Sequence, residues 1–161
     1  MGRDERGGLN MDKRRIMDEV QGIIESPGDA DDKLQQICEL LDDEVDYYDW
    51  IGFYLVREDK EDELELGPFV GDPTEHTNIG FGEGICGQAA ESKDTYVVQD
   101  VSEEDNYLSC SIKVKSEIVV PIFKEDEIAG EIDIDSHELK PFSDEDEELL
   151  EEIAKRVSKI I

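Results

Sequence analysis

The chain has 161 residues, a length that fits one domain, and its 45 acidic against 16 basic residues leave a net charge of −29. That charge argues against nucleic acid and anionic lipid as partners, and no apolar run nears the ~20 residues of a bilayer span. No apolar secretory segment follows the charged start, and three cysteines are too few for a disulfide scaffold, which predicts a cytoplasmic protein.

Self-repulsion at −29 works against a compact state at ordinary ionic strength. At ~1 M salt the Debye length falls to ~3 Å and the penalty fades. The acidity therefore reads as adaptation to a salt-rich, halophilic cytoplasm.

In chain order, residues 1–10 are poor in apolar side chains and predict a disordered tail, followed by one domain over residues 11–161. Residues 11–25 place Met11, Ile16, Met17, Val20, Ile23 and Ile24 on one helical face. Ser26-Pro27-Gly28 breaks the chain. A second helix follows over about residues 29–44, with Leu34, Ile37, Cys38, Leu41 and Val45 at helical spacing. Residues 50–56 are aromatic and β-prone, and Glu63-Leu64-Glu65-Leu66 alternates. Gly80, Gly82, Gly84 and Gly87 form a turn leading into a short helix over 86–92, then a strand over 95–98 and a loop over 102–116. Residues 118–123 and 128–134 read as a hairpin, with Pro121 marking an edge or a bulge. Ser143 caps the last helix, with Asp146 three residues on. Helices at both ends of a mostly antiparallel sheet make an α+β domain.

The chemistry-bearing residues are few. Cys38 sits on an apolar helical stripe and reads as a small buried hydrophobe. Cys86 lies where the glycine turn feeds a helix, and a helix N-terminus exposes a thiol and lowers its pKa. Cys110 lies in a polar segment with Lys113 and Lys115 nearby. Composition alone ranks a structural role above reactivity for each thiol. Without a C-x-x-C pair, and with His76 and His137 far from ligand spacing, no metal and no cofactor is expected. Neither a G-x-S-x-G elbow nor a phosphate-binding loop is present. Asp133 and Asp135 share one face of their strand, opposite Ile132 and Ile134. They are either ordinary acids on a solvated face or a pair whose repulsion a ligand's ammonium group relieves.

Five segments carry a resemblance. They are Trp50-Ile51-Gly52-Phe53-Tyr54, Leu66-Gly67-Pro68-Phe69, Gly82-Glu83-Gly84-Ile85-Cys86-Gly87, Cys110 with Ser116-Glu117-Ile118-Val119-Val120-Pro121, and Asp133-Ile134-Asp135-Ser136. Together, and in this order over about residues 30–160, they resemble the free methionine-(R)-sulfoxide reductases, single-domain enzymes of GAF fold. The resemblance implies Cys110 as catalytic cysteine and Cys86 as the second redox thiol. It implies Glu117, Asp133 and Asp135 as the carboxylates that bind the substrate, and Trp50 and Tyr54 as an aromatic wall. One position departs: His76 stands where the family usually has a third cysteine, which commonly pairs with the catalytic one. One extra residue also lies between Gly67 and Cys86. The implied reaction makes a sulfenic acid of Cys110, with Cys86 as candidate resolving partner and a thioredoxin-like dithiol as reductant. His76, Lys113 and Lys115 are the candidate cations beside the thiolate, and the resemblance also suggests a homodimer. The alternative is a GAF module that binds a small ligand and signals without catalysis; the chain leaves no room for an output domain, which favours the enzyme.

Overall fold

A computed structural model describes residues 12–57, 59–104 and 113–161. The expected tail at 1–10 and the catalytic candidate Cys110 lie outside the described residues.

Two helices come first, α1 (Lys13–Glu25) and α2 (Ala30–Glu44), each capped by an aspartate. Asp12 and Asp29 accept from the backbone N–H of Arg15 and Asp32, which satisfies an orphan donor at each N-terminus. Next come β1 (Trp50–Arg57), β2 (Lys60–Val70), β3 (Asn78–Gly80), α3 (Gly84–Ser92) and β4 (Tyr96–Val98). A hairpin of β5 (Ser116–Lys124) and β6 (Glu127–Ser136) precedes the last helix, α4 (Asp144–Val157).

Among the described residues, six strands form one antiparallel sheet in the order β3-β2-β1-β6-β5-β4. The hairpin turns on Glu125 and Asp126, both at positive φ, as a two-residue primed turn requires. Pro121 meets both of its expected reasons. β4 pairs with β5 only as far as Val119, so the outer edge is open at Pro121, and the register shifts between Ile122 and Phe123. The strands extend beyond what the sequence pattern marks: β3 carries no period in its three residues ending in glycine, and β2 runs on from the alternating residues 63–66 through Gly67 and Pro68.

Strand alternation sorts the side chains into two layers. Ile51, Phe53 and Leu55 of β1, Ile118, Val120 and Ile122 of β5, and Ile132 and Ile134 of β6 face α1, α2 and α4 and build the main core. Leu149, Leu150, Ile153, Ala154 and Val157 supply the stripe of α4. The opposite face is covered by α3, over a smaller core that includes Trp50, Tyr54, Leu64, Ile79, Ile85, Cys86, Ala89 and Val119. Gly87 lets α3 lie close to the preceding turn: a Cβ there would stand 2.5 Å from the Gly80 carbonyl oxygen.

Candidate active site

The α3-covered face carries acids where a buried sheet face normally carries aliphatic residues. Cross-strand register sets three rows on it. Trp50, Asp135 and Glu117 lie in the first, and Gly52, Asp133 and Val119 in the second. Tyr54, Glu131 and Pro121 make the third. All four acids are buried, with Glu117 at 6%, Glu131 at 0%, Asp133 at 2% and Asp135 at 1% exposure. Of the two readings of Asp133 and Asp135, the solvated face is therefore the wrong one.

The first turn of α3 sets Cys86 on top of these rows. Its thiol donates to Glu117 Oε2 at 3.9 Å. Cys86, Glu117 and Asp133 each bring one ligand-type atom within 4.8 Å of the others. The expectation that a helix N-terminus exposes Cys86 and lowers its pKa is overturned: the residue is buried. Burial, then the charges of Asp133, Glu117 and Glu131, push its thiol well above the usual range. The local helix terminus is outweighed by a desolvated, acidic pocket.

The carboxyls move the same way. Desolvation raises Asp133, and desolvation followed by the Asp133 charge raises Asp135 and Glu131 well above the ordinary carboxylate range. Asp133 Oδ1, Asp135 Oδ1 and both Glu131 oxygens are buried without a hydrogen-bond partner among the described residues. A buried anion without a counter-charge is costly, so these acids either hold protons or take up a cationic group.

The aromatic wall is fixed by its own hydrogen bonds. Trp50 Nε1 donates to the Asp72 carbonyl at 2.9 Å, and its ring stacks on Phe69 at 5.5 Å. It lies across Gly52, where a Cβ would come within 2.4 Å of the indole. Gly52 thus keeps the indole flat on the sheet in the row next to Asp133. Tyr54 donates its hydroxyl to the His76 carbonyl at 2.7 Å. Tyr54, His76, Ile79, Gly84, Ile85, Cys86, Glu117 and Asp133 line a narrow cavity of about 10 Å³, with no lysine or arginine in its lining among the described residues. A wider hollow of about 910 Å³ lies between α4 and the β4–β5 edge, but no described thiol lines it. Lys113 and Lys115, expected near the Cys110 thiolate, are solvent-exposed. Of the three expected cations, His76 is the one that lines the cavity.

Glu131 was missed by sequence reasoning. Its signal was present in the alternation Glu131-Ile132-Asp133-Ile134-Asp135, which puts a third acid on the face of the other two.

The GAF domain family model matches residues 28–161. Free methionine-R-sulfoxide reductase of Saccharomyces cerevisiae is 35% identical over 162 residues, covering 93% of this chain and 88% of the yeast protein. The X-ray structure of the Neisseria meningitidis free methionine-R-sulfoxide reductase with its substrate superposes with a TM-score of 0.85 at 35% identity. It covers 91% of this chain and 86% of that one. The fRMsr of Staphylococcus aureus, also in complex with substrate, gives a TM-score of 0.84 at 38% identity, over 94% of this chain and 96% of that one. The fold, the buried acids beneath Cys86 and these likenesses agree: the chain is a GAF-domain protein and belongs to the free methionine-R-sulfoxide reductase family.

Proposed function

We propose that this protein reduces free L-methionine (R)-sulfoxide to methionine with thiols as the electron source. The observation that carries the reading is the set of buried, unpartnered carboxylates beneath Cys86, in a fold whose relatives are named for this reaction. Asp133 and Asp135 hold the amino-acid ammonium, which supplies the missing counter-charge. Trp50 packs on the methylthio chain, and Tyr54 closes the wall beside it. The substrate carries no net charge, so the field of −29 does not repel it. The cavity is too narrow for about ten heavy atoms, so binding parts its walls.

The Cys110 thiolate attacks the sulfoxide sulfur, Glu117 protonates the sulfoxide oxygen, and that oxygen passes to the Cys110 sulfur as its bond to the substrate sulfur breaks. The sulfur is reduced to the thioether, and Cys110 is oxidised to the sulfenic acid. The Cys86 thiol then attacks that sulfenic acid, releasing water and forming a disulfide. A thioredoxin-like dithiol reduces the disulfide and restores both thiols. The protein works in the cytoplasm as a homodimer. His76, at the cavity wall, supports a second reading, a GAF sensor that binds a small ligand, since it stands where the family usually has its third cysteine.

The test is chromatographic detection of methionine from each sulfoxide epimer with dithiothreitol as reductant. Conversion of the free (R) epimer alone is expected. Cys110→Ser is expected to lose all conversion with an unchanged circular-dichroism spectrum. Cys86→Ser completes one turnover and recycles poorly with a protein dithiol. Binding without conversion in the wild type selects the sensor and removes the enzyme.

A further inference from the structure

We propose that Cys86, Glu117 and Asp133 form a binding site for one thiophilic divalent cation of the zinc class. The three side chains come from α3, β5 and β6, elements locked together by the sheet and by the α3 packing. A tetrahedral zinc ion with Zn–S ~2.3 Å and Zn–O ~2.0 Å sets its sulfur and oxygen ligands roughly 3.5 Å apart. Cys86 Sγ and Glu117 Oε2 already stand at 3.9 Å, and the whole set lies within 4.8 Å. Closing on a metal therefore needs only small side-chain shifts.

Independent observations point to a cation. Asp133 Oδ1 and both oxygens of Glu131, which adjoins Cys86, are buried without a hydrogen-bond partner among the described residues. The described lining of the cavity has no lysine or arginine, and its volume of about 10 Å³ suits one water or one ion. The ligand set of one thiolate and two carboxylates excludes magnesium and calcium as preferred occupants, because hard cations take oxygen alone. Three protein ligands leave the fourth position open to water. Glu131 acts from behind Cys86 and Asp133, as an outer carboxylate that strengthens the site. Where the reductase reading holds, the metal occupies the carboxylate meant for the substrate's ammonium and ties up the Cys86 thiol. Metal and methionine sulfoxide then exclude each other.

The experiment is a cobalt(II) titration of metal-free, reduced full-length protein, followed by optical absorption and by calorimetry. We expect a sulfur-to-cobalt charge-transfer band saturating at one equivalent and bleached by zinc. Cys86→Ser should abolish the band. Asp133→Asn and Glu117→Gln, which keep the thiol, should weaken binding by more than about tenfold, and Glu131→Gln by about tenfold. Cys38→Ser and Cys110→Ser should leave it unchanged. No band in the wild type, or a band that survives Cys86→Ser, overturns the site. So does unaltered affinity in Asp133→Asn, should Cys86→Ser fail to fold. Cobalt binding is read without turnover, so a protein that reduces no sulfoxide still tests the metal site. In an active protein, free methionine-(R)-sulfoxide should raise the apparent cobalt dissociation constant, and an unchanged constant overturns the overlap with substrate.

Discussion

Asp146 and Asp133 are both buried carboxylates, at 0% and 2% exposure, yet the molecule treats them in opposite ways. Asp146 sits in the first turn of α4, where it completes a capping box with Ser143. It also accepts from the hydroxyls of Tyr47 at 2.7 and 2.9 Å and Tyr48 at 2.5 Å, and from Ser143 N at 2.7 Å. Both of its oxygens are satisfied. Asp133, with Asp135 and Glu131 beside it, has an oxygen that no described residue answers. The first site is finished by the fold and serves stability. The second is left incomplete by the fold, and on the proposed reading its open acids hold the substrate at a cost to stability.

The largest effect should come from emptying the finished site. Asp146→Ala leaves the Tyr48 hydroxyl and the Ser143 backbone N–H without acceptors and should cost about 3 kcal/mol in a urea unfolding titration. At temperatures where this variant stays folded, its kcat/KM should be unchanged. Asp133→Asn should do the reverse. Turnover of free methionine-(R)-sulfoxide should fall about 100-fold in kcat/KM, because the ammonium loses a buried anion. Stability should hold or rise by about 1 kcal/mol, since the amide removes a desolvated charge. If the two variants lose activity and stability in parallel, the division of labour between the sites is wrong.

The contrast also marks what the sequence makes legible. The helices and the hairpin are readable because period 3.6 and period 2 are local properties, and Ile16, Leu34, Ile132 and Leu150 announce their faces. Asp146 reads as a cap from Ser143, but its burial depends on Tyr47 and Tyr48, about a hundred residues earlier in the chain. Glu131 is hidden by composition. Among 45 acids, one more on a strand looks like solvent-facing charge until α3 is known to cover it. Cys86 misleads for the same reason, since a turn and a helix start are visible in sequence while the acids packed beneath them are not.

Glu131 offers a smaller test, through pH. Its carboxyl is raised by burial and by the Asp133 charge, so the folded state holds a proton that the unfolded chain releases. Between the unfolded value of about 4.3 and the raised folded one, the native state binds more protons, so stability falls as pH rises. The stabilising contribution is complete below about pH 4 and is lost as pH climbs through the folded pKa. Glu131→Gln removes this titration. Urea unfolding across a pH series, with chelator present, should give a decline that is shallower in the variant by about 1.4 kcal/mol per pH unit within that window. Equal slopes would mean that Glu131 reaches solvent and belongs with the ordinary surface acids.

The smallest effect expected is a difference that stays constant. Most of the acids behind the charge of −29 lie exposed, on the helices and in the turns and loops between elements, and their mutual repulsion is open to screening. Raising potassium chloride from ~0.01 to ~1 M shortens the Debye length from ~30 to ~3 Å. The wild type should therefore gain stability steeply along that series, if the acidity is the adaptation to salt that the sequence suggests. Asp133 lies under α3 with 2% exposure, where mobile ions do not follow. Its own contribution should be blind to salt, so the wild-type and Asp133→Asn curves should run parallel within about 0.5 kcal/mol. A wild type indifferent to salt removes the halophilic reading of the surface. Curves that converge at high salt place Asp133 in contact with bulk ions, and the buried face then no longer differs in kind from the surface around it.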